Sequence, residues 1–421
     1  MPRFRLPRGG VMTYVLVMAP GIITASAGND AGGIATYSSA GAKYGYGMLW
    51  AMIITAVSLI VVQEMCARMG AVTGKGLADL IREEFAIGWV AVAMVGLLVA
   101  NAAITISEFV GVAACVPIFK LPLPVPLVEV LVGLGVWLLV TRGPSSVVQR
   151  VFLALTLVFF AYIPAAFLAR PHWDQVWHGL STPNLSGGGS YVADMVALVG
   201  TTISPYMQLF VQSSIVDEGV TPRDYRFARA GVVSGSLFAI AVACFMIIAT
   251  GATLYGKPGA ANLQDAGQFA QALEPFLGAY ALPLFGVGLF GASLLAAAVL
   301  PLSTAYAVCE MFGFESGLSR SFAQAPVFNG LFTGLIALGV VVASLPRLPL
   351  VDVLLSMQAL NGVVLSILIV FIVRLANMPE IMGRYKNGLL NNILAYGTAA
   401  LLILLSVLYL LGLTLHIGPA A

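Results

Sequence analysis

The sequence predicts an all-α integral membrane protein of eleven transmembrane helices, arranged as two inverted five-helix repeats plus one additional helix. Charged residues are 9% of the 421 residues and hydrophobic ones 60%, against about 25% and about 45–50% in soluble proteins. Apolar stretches of about twenty residues recur along the whole chain. Two of these stretches are interrupted near their middle by glycine, proline and polar residues. No stretch is polar and long enough for a soluble domain, so we expect one transmembrane domain over residues 1–421.

The predicted spans follow one another with short connections. They cover residues 11–40, 46–70, 88–117, 122–141, 149–169, 190–215, 227–255, 278–312, 327–345, 350–375 and 388–415. The first repeat is then 11–170, the second 190–375, and the additional helix 388–415. The interrupted spans are the first and the sixth, which occupy matching positions in the two repeats. Such paired interruptions are the best pointer in a sequence to a membrane binding site.

The basic residues predict the orientation of the chain. With a cytoplasmic N-terminus, fifteen of the twenty Lys and Arg residues fall on the cytoplasmic side and five outside. This asymmetry agrees with the positive-inside rule and with an odd number of spans. The basic start of the chain lacks the small-residue cleavage site of a signal peptide. We therefore expect a multi-pass protein of the cell membrane with a cytoplasmic N-terminus.

The first span carries an acid in its interruption, which reads Ala27-Gly28-Asn29-Asp30-Ala31-Gly32-Gly33. An Asp at the centre of a spanning helix costs roughly 2.5–3.5 kcal/mol on insertion scales. Glycines release the backbone from the helix, and free carbonyls at membrane depth are tolerated only inside protein or along a cavity. We therefore expect Asp30 in an ion or substrate site, on a helix unwound around it.

Other polar residues in the spans are weaker candidates. Glu108 in the third span is the second candidate, and its alternative role is a structural carboxylate bonded to a neighbouring helix. Asn361 in the tenth span either contacts the site or bridges two helices. Glu64 and Arg68 form an i, i+4 pair that favours structural anchoring. Glu310, at the inner end of the eighth span, is predicted to be interfacial.

The chain carries no enzyme signature. Its histidines, His172, His178 and His416, fall at or outside the external surface, and its four cysteines lack metal-ligand spacing. It has neither a nucleophile beside a base, nor a phosphate-binding glycine loop, nor a basic aromatic stripe for nucleic acid. We expect no enzymatic activity, no cofactor, no nucleic-acid partner and no obligatory protein partner. An external loop at 256–276 is predicted to hold a short surface helix.

Several stretches together resemble the Nramp family of divalent-metal transporters. They are Asp30–Thr36, Gly41–Trp50, Gln63–Asp79, Ser107–Gly111, Ser204–Tyr206, Gln212–Ser213, Asn361–Ser366 and Ile381–Asn387. The likeness covers nearly the whole chain. It implies a LeuT-type fold, in which helices 1 and 6 are broken, and transport of a divalent cation through the lipid bilayer by alternating access.

The departures from the family pattern indicate which ion is carried. The family signature Asp-Pro-Gly-Asn is here Asp30-Ala31-Gly32-Gly33, and Met-Pro-His is here Ser204-Pro205-Tyr206. An acid usual in the third helix is replaced by Thr105. A thioether and a histidine are thus exchanged for hydroxyls. Soft sulfur and nitrogen ligands suit manganese and iron, whereas oxygen-only sites suit magnesium and calcium.

This pattern is similar to the Nramp-related magnesium transporters, a branch of the same superfamily. The similarity implies a largely hydrated Mg²⁺, with Mn²⁺ also carried, and no proton coupling. The implied metal site comprises Asp30, Glu108, carbonyls near Gly33 and Thr201, and Asn29 and Ser204 as holders of outer waters. The implied cavity wall comprises Tyr206, Thr105 and Asn361.

Three alternatives remain at this stage. The first is a proton-coupled manganese or iron transporter of the ordinary Nramp type, against which the lost methionine and histidine count. The second is an amino-acid or organic-cation symporter of the same fold, in which Asp30 would repel a substrate carboxylate. The third is a non-transporting sensor or scaffold, which the lack of a soluble effector domain disfavours.

Overall fold

The computed structural model describes residues 11–184, 188–259, 281–345 and 350–414, and the elements in these ranges are helical. The helices are α1 Val11–Ala27, α2 Ala31–Tyr44, α3 Leu49–Thr73, α4 Leu77–Glu84, α5 Ile87–Ile118, α6 Val125–Arg142, α7 Ser145–Thr156, α8 Tyr162–Leu168, α9 Trp173–Ser181, α10 Gly188–Thr202, α11 Pro205–Asp217, α12 Tyr225–Thr253, α13 Ala281–Phe312, α14 Pro326–Ala343, α15 Leu350–Asn377, α16 Pro379–Met382 and α17 Leu389–Thr414. A 3₁₀ turn joins α7 to α8, and another follows α16.

The long helices match the predicted spans. Within the described ranges, nine helical runs are long and apolar enough to cross a membrane. The first and sixth predicted spans are instead the helix pairs α1/α2 and α10/α11, so both predicted interruptions are real breaks. The predicted loop helix at 256–276 and the position of His416 lie largely outside the described residues. The chain is therefore a multi-pass, all-helical membrane protein.

The first break occupies residues 28–30. Helix α1 ends at Ala27 and α2 begins at Ala31. Asp30 is the N-cap of α2, because its backbone is extended and its side chain accepts a hydrogen bond from the Gly33 amide. The capping preference of Asp thus helps to fix where the second half-helix starts.

The second break is short and ends at a proline. Helix α10 ends at Thr202, and α11 begins at Pro205 after Ile203 and Ser204. Proline suits the first helical position, because the amide hydrogen that it lacks has no partner there in any helix. A proline fixes this break, whereas an acid and glycines fix the other.

Small residues let the broken helices pack in the centre of the bundle. The α1/α2 pair lies along α12, and the α10/α11 pair lies against α3, α13 and α15. A Cβ placed on Gly21 of α1 would lie 2.4 Å from the Val232 backbone nitrogen of α12. Such backbone contact is typical of helix interfaces in membranes. The residues of both breaks are buried, so their free backbone groups lie inside protein, where they are tolerated.

Candidate functional site

Asp30 lies at the first break with one carboxylate oxygen bonded and the other free. The residue is fully buried. Its Oδ1 atom accepts a hydrogen bond of 2.6 Å from the Gly33 amide, whereas its buried Oδ2 atom has no hydrogen-bond partner. A buried carboxylate oxygen without a partner is costly. A cation bound at Oδ2 would remove that cost.

Glu108 reaches the same half-helix from α5. Its Oε2 atom accepts a hydrogen bond of 3.1 Å from the Ala31 amide, and its Oε1 atom lies 3.4 Å from the Ser107 hydroxyl. The first amides of a helix lack partners within the helix, and its N-terminus carries partial positive charge. Both carboxylates therefore lie at the N-terminus of α2. The structural hydrogen bond considered for Glu108 is present, and it places the carboxylate beside Asp30.

Oxygen atoms from both breaks converge beside Gly33. A Cβ placed on this glycine would lie 2.8 Å from the Gly28 carbonyl oxygen, 3.2 Å from Asp30 Oδ1 and 3.3 Å from Thr201 Oγ1. The Thr201 hydroxyl is buried and has no hydrogen-bond partner. The convergence explains a glycine at this position, because any side chain would fill the space between the oxygens. A carbonyl, a carboxylate and a hydroxyl form a donor set suited to a hard divalent cation.

Two of the predicted ligand atoms, the Ser204 hydroxyl and the Thr201 carbonyl oxygen, are hydrogen-bonded to each other at the second break. The Ser204 hydroxyl donates to the carbonyls of Gly200 and Thr201, at 3.0 and 3.1 Å. Thr201 therefore presents its hydroxyl rather than its carbonyl to the site. The Tyr206 hydroxyl donates to the Ala27 carbonyl at 2.8 Å, so this phenol ties the end of α1 to the start of α11.

The remaining predicted site residues have hydrogen-bond partners other than the site, either in another helix or in their own. The Asn29 amide donates to the Ala239 carbonyl of α12 at 3.1 Å. The Thr105 hydroxyl donates to its own helix, and its methyl group faces Gly339 of α14. Asn361 lies 3.4 Å from Gln358, and its Oδ1 atom is buried without a partner. The structure thus groups Asp30, Glu108, Gly33 and Thr201, and it turns the Asn29 and Thr105 side chains away.

Comparison with models of protein families shows which family the chain belongs to. The model of the Nramp family, described as natural resistance-associated macrophage protein-like, matches residues 21–412. The chain belongs to the Nramp family.

Named relatives and solved structures agree with this assignment. The divalent metal cation transporter MntH of Aeromonas hydrophila is 28% identical over 386 residues, covering 88% of this chain and 89% of the relative. MntH of Deinococcus radiodurans is 28% identical over 350 residues, or 78% and 77% of the two chains. A manganese transporter of Eremococcus coleocola shares the fold with a TM-score of 0.73 at 19% identity, covering 97% and 88% of the two chains.

A more distant structure places the Nramp chain in the wider fold class. MhsT, solved in complex with L-phenylalanine, has a TM-score of 0.60 at 14% identity and covers 92% of this chain and 98% of its own. The predicted LeuT-type fold with two broken helices is confirmed.

Met207 lies beside the candidate site, and the sequence pattern alone did not single it out. A Cβ placed on Gly28 would lie 2.9 Å from Met207 Cε and 3.1 Å from Met207 Sδ. The side chain is fully buried, so a thioether lies against the backbone of the first break. The family methionine position is occupied by Ser204, but a methionine stands three residues later, almost one helical turn away. Its position after Ser-Pro-Tyr was the signal that could have identified it.

An ion pair closes the Nramp site on the side of α2 and α10. Lys43 Nζ lies 3.1 Å from Asp194 Oδ2, which also accepts a hydrogen bond of 2.8 Å from the Tyr44 hydroxyl. Deeper in the protein, the hydroxyls of Tyr37 and Thr202 lie 2.8 Å apart. These contacts join α2 to α10 and separate Asp30 from the surface.

Another buried carboxylate lies where α4, α11 and α13 meet. Glu310 is only 7% exposed, because α4 folds over it, and it lies two residues before the end of α13. Its predicted interfacial depth in the membrane stays a prediction. Its carboxylate accepts hydrogen bonds from the Ala78 amide at 3.2 Å and from the Ser213 hydroxyl at 2.5 Å. Asp79 lies on α4 and is partly buried. This burial raises the pKa of its carboxyl group, and the positive charge of Arg82 lowers it. Asp30 and Glu108 are themselves fully buried, so the candidate site is closed to solvent in this structure.

The predicted Glu64–Arg68 pair has a structural role. Arg68 Nη2 lies 3.5 Å from Glu64 Oε2. Arg68 also donates to Asn387 after the tenth span, and the Tyr225 hydroxyl donates to Glu64. These partners tie α3 to α12 and to the segment before α17, away from Asp30.

Proposed function

We propose that this Nramp protein transports divalent metal cations across the membrane by alternating access, with Asp30 as the principal anion at the site. The observation that carries the proposal is the convergence of Asp30, the Gly28 carbonyl and the Thr201 hydroxyl where the two broken helices meet. Glu108 adds a second carboxylate at the same helix terminus. The names of the relatives support the proposal, since those proteins are divalent metal cation transporters.

Manganese is the ion that the comparisons favour. The solved structures that share the fold include a manganese transporter. The Met207 thioether beside Gly28 supports the same ion, because sulfur ligands suit transition metals better than magnesium. Manganese is also the ion of the ordinary, proton-coupled Nramp type considered from the sequence.

Magnesium is the second candidate, and the oxygen atoms at the site favour it. Ser204 and Gly33 stand where the family signatures have methionine and asparagine, and the converging atoms are all oxygen. Two carboxylates with neutral oxygens and retained waters are a typical magnesium environment. We propose that Mg²⁺ and Mn²⁺ share this site, because hard oxygen ligands suit both ions.

Transport without proton coupling is part of the proposal. Tyr206 stands at the family's histidine position, and its hydroxyl is committed to the Ala27 carbonyl. Thr105 stands at the position of the family's additional acid. With a cytoplasmic N-terminus in the cell membrane, a negative-inside potential of 100 mV would drive a divalent cation inward by about 4.6 kcal/mol. That driving force needs no proton.

Ion uptake by purified protein in liposomes tests this function. A magnesium dye, a manganese-quenched dye and a pH dye are read in parallel, with Asp30→Asn as the matched control. The proposal predicts Asp30-dependent uptake of both ions and a constant internal pH. Manganese uptake with acidification would establish the proton-coupled alternative, and absence of any divalent flux would overturn the proposal.

A further inference from the structure

A groove lies between α15 and α17, and none of its lining residues belongs to the candidate metal site. It has a volume of about 630 Å³ and is lined by Val370, Val373, Arg374, Asn377, Met378, Pro379, Tyr396, Ala399, Ala400 and Ile403. This volume is within the range of small-molecule sites, roughly 300–1,000 Å³. The lining is apolar except for the Arg374 guanidinium, the Asn377 amide and the Tyr396 hydroxyl.

The groove opens towards the lipid rather than towards the transport pathway. Its rim residues Val370, Tyr396 and Ile403 are 47%, 58% and 40% exposed, and they lie on two membrane-spanning helices. From Val370 to Asn377 the groove follows about 10 Å of helix at 1.5 Å per residue. The outer surface of a spanning helix meets acyl chains, so the occupant of this groove must be apolar along most of its length.

One end of the groove is positively charged. Arg374 lies in the last turn of α15, and no acidic side chain lines the groove. Among the described residues, the Arg374 guanidinium has no carboxylate within ion-pair distance, and it lies over the Phe85 ring with its Cζ atom 5.6 Å from the centroid. Phe85 is held in turn by Phe371, at a centroid distance of 4.4 Å. The cation is therefore positioned by an aromatic pair and is available to an anion.

We infer that this groove binds an anionic phospholipid, with the phosphate at Arg374 and an acyl chain along Val370, Tyr396 and Ile403. The charge lies at the helix terminus, where headgroups lie, and the apolar part extends into the membrane. Basic pockets between spanning helices bind anionic headgroups in this way. The positive-inside orientation places the groove in the cytoplasmic leaflet.

Native mass spectrometry of the purified full-length protein tests this inference. The protein is mixed with phosphatidylglycerol or with phosphatidylcholine of the same chain length, and retained lipid is counted. Arg374→Gln removes the charge. Ala400→Trp fills the groove from its exposed wall and leaves Arg374 in place. Arg384→Gln is the matched control, because Arg384 lies over Tyr385 outside the groove.

The expected result is preferential retention of phosphatidylglycerol, reduced roughly fivefold by Arg374→Gln. Ala400→Trp should reduce it as well, and Arg384→Gln should leave it unchanged. Equal retention of the two lipids, or an equal loss in Arg384→Gln, would overturn the inference. A dimer that Ala400→Trp dissociates would also overturn it, because the groove would then hold a second copy of the chain.

Discussion

The two breaks in the spanning helices differ in charge. The first holds Asp30 as the N-cap of α2 and receives Glu108 from α5, whereas the second holds only the hydroxyls of Thr201, Ser204 and Tyr206. The first break therefore supplies the attraction for a cation. The second offers the unpartnered Thr201 hydroxyl and, through Tyr206, a hydrogen bond to the end of α1. Substitutions at the first break should consequently have larger effects on transport than those at the second.

The largest effect is expected from Asp30→Asn. Asparagine is as good an N-cap as aspartate, so the variant should fold while losing the charge at the site. We expect divalent-cation uptake to fall by at least about 100-fold, measured in liposomes at equal amounts of folded protein. Asp30→Ala should lose uptake as well and should also be less stable by about 1 kcal/mol, because the cap is removed. Near-normal uptake by Asp30→Asn would exclude the assigned site.

A smaller loss is expected from Glu108→Gln. Glutamine can still accept the hydrogen bond from the Ala31 amide, so the helix contact is kept while one charge is lost. We expect the apparent affinity for Mg²⁺ to weaken about tenfold, measured from the concentration dependence of uptake. Glu129→Gln is the control, because Glu129 is equally buried and bonds the Ser344 hydroxyl of the segment after α14. Equal effects of the two substitutions would reduce Glu108 to a structural role.

At the second break, Thr201→Val and Ser204→Ala should differ in their effect on the apparent affinity for the transported ion. The Thr201 hydroxyl is unpartnered beside Gly33, whereas the Ser204 hydroxyl is bonded to its own helix. We expect Thr201→Val to weaken the apparent affinity severalfold and Ser204→Ala to leave it nearly unchanged, in the same uptake assay. The reverse order would show that Ser204 turns towards the ion when the site is loaded.

The smallest change in magnesium transport is expected from Met207→Leu. Leucine keeps the volume against Gly28 and removes the sulfur. Uptake of the soft ion Cd²⁺ should fall, while Mg²⁺ uptake should stay the same. Competition between the two ions in liposomes gives the ratio of Cd²⁺ uptake to Mg²⁺ uptake directly. An unchanged Cd²⁺ to Mg²⁺ ratio would show that Met207 only packs against the first break.

Composition and pattern were sufficient for the fold, because lipid limits the chain to helices and makes an intramembrane acid conspicuous. Asp30 and Glu108 were identified for that reason, and both lie at the N-terminus of α2. The direction of side chains in an unwound segment follows no helical period. Asn29 could not be placed for this reason, and its amide bonds α12 although it is adjacent to Asp30.

The other ligand atoms depend on how separate helices cross. The Gly28 carbonyl, the Thr201 hydroxyl and the Met207 thioether come together because α1 packs against α11 and α2 packs against α10 at the two breaks. The burial of Glu310 likewise depends on α4 folding back over α13. The predicted interfacial position of Glu310 rests on its place at a helix end with an arginine nearby in sequence, and that pattern does not reveal that α4 covers it.

Anomalous diffraction from crystals grown with Mn²⁺ tests the central claim, that the first break binds the transported cation. We expect one strong peak about 2–2.6 Å from the Asp30 carboxylate, close to the Gly28 carbonyl and the Thr201 hydroxyl, and no such peak in Asp30→Asn. A peak elsewhere among the spans, with Asp30 still bonded only to the Gly33 amide, would show that the cation binds at another site.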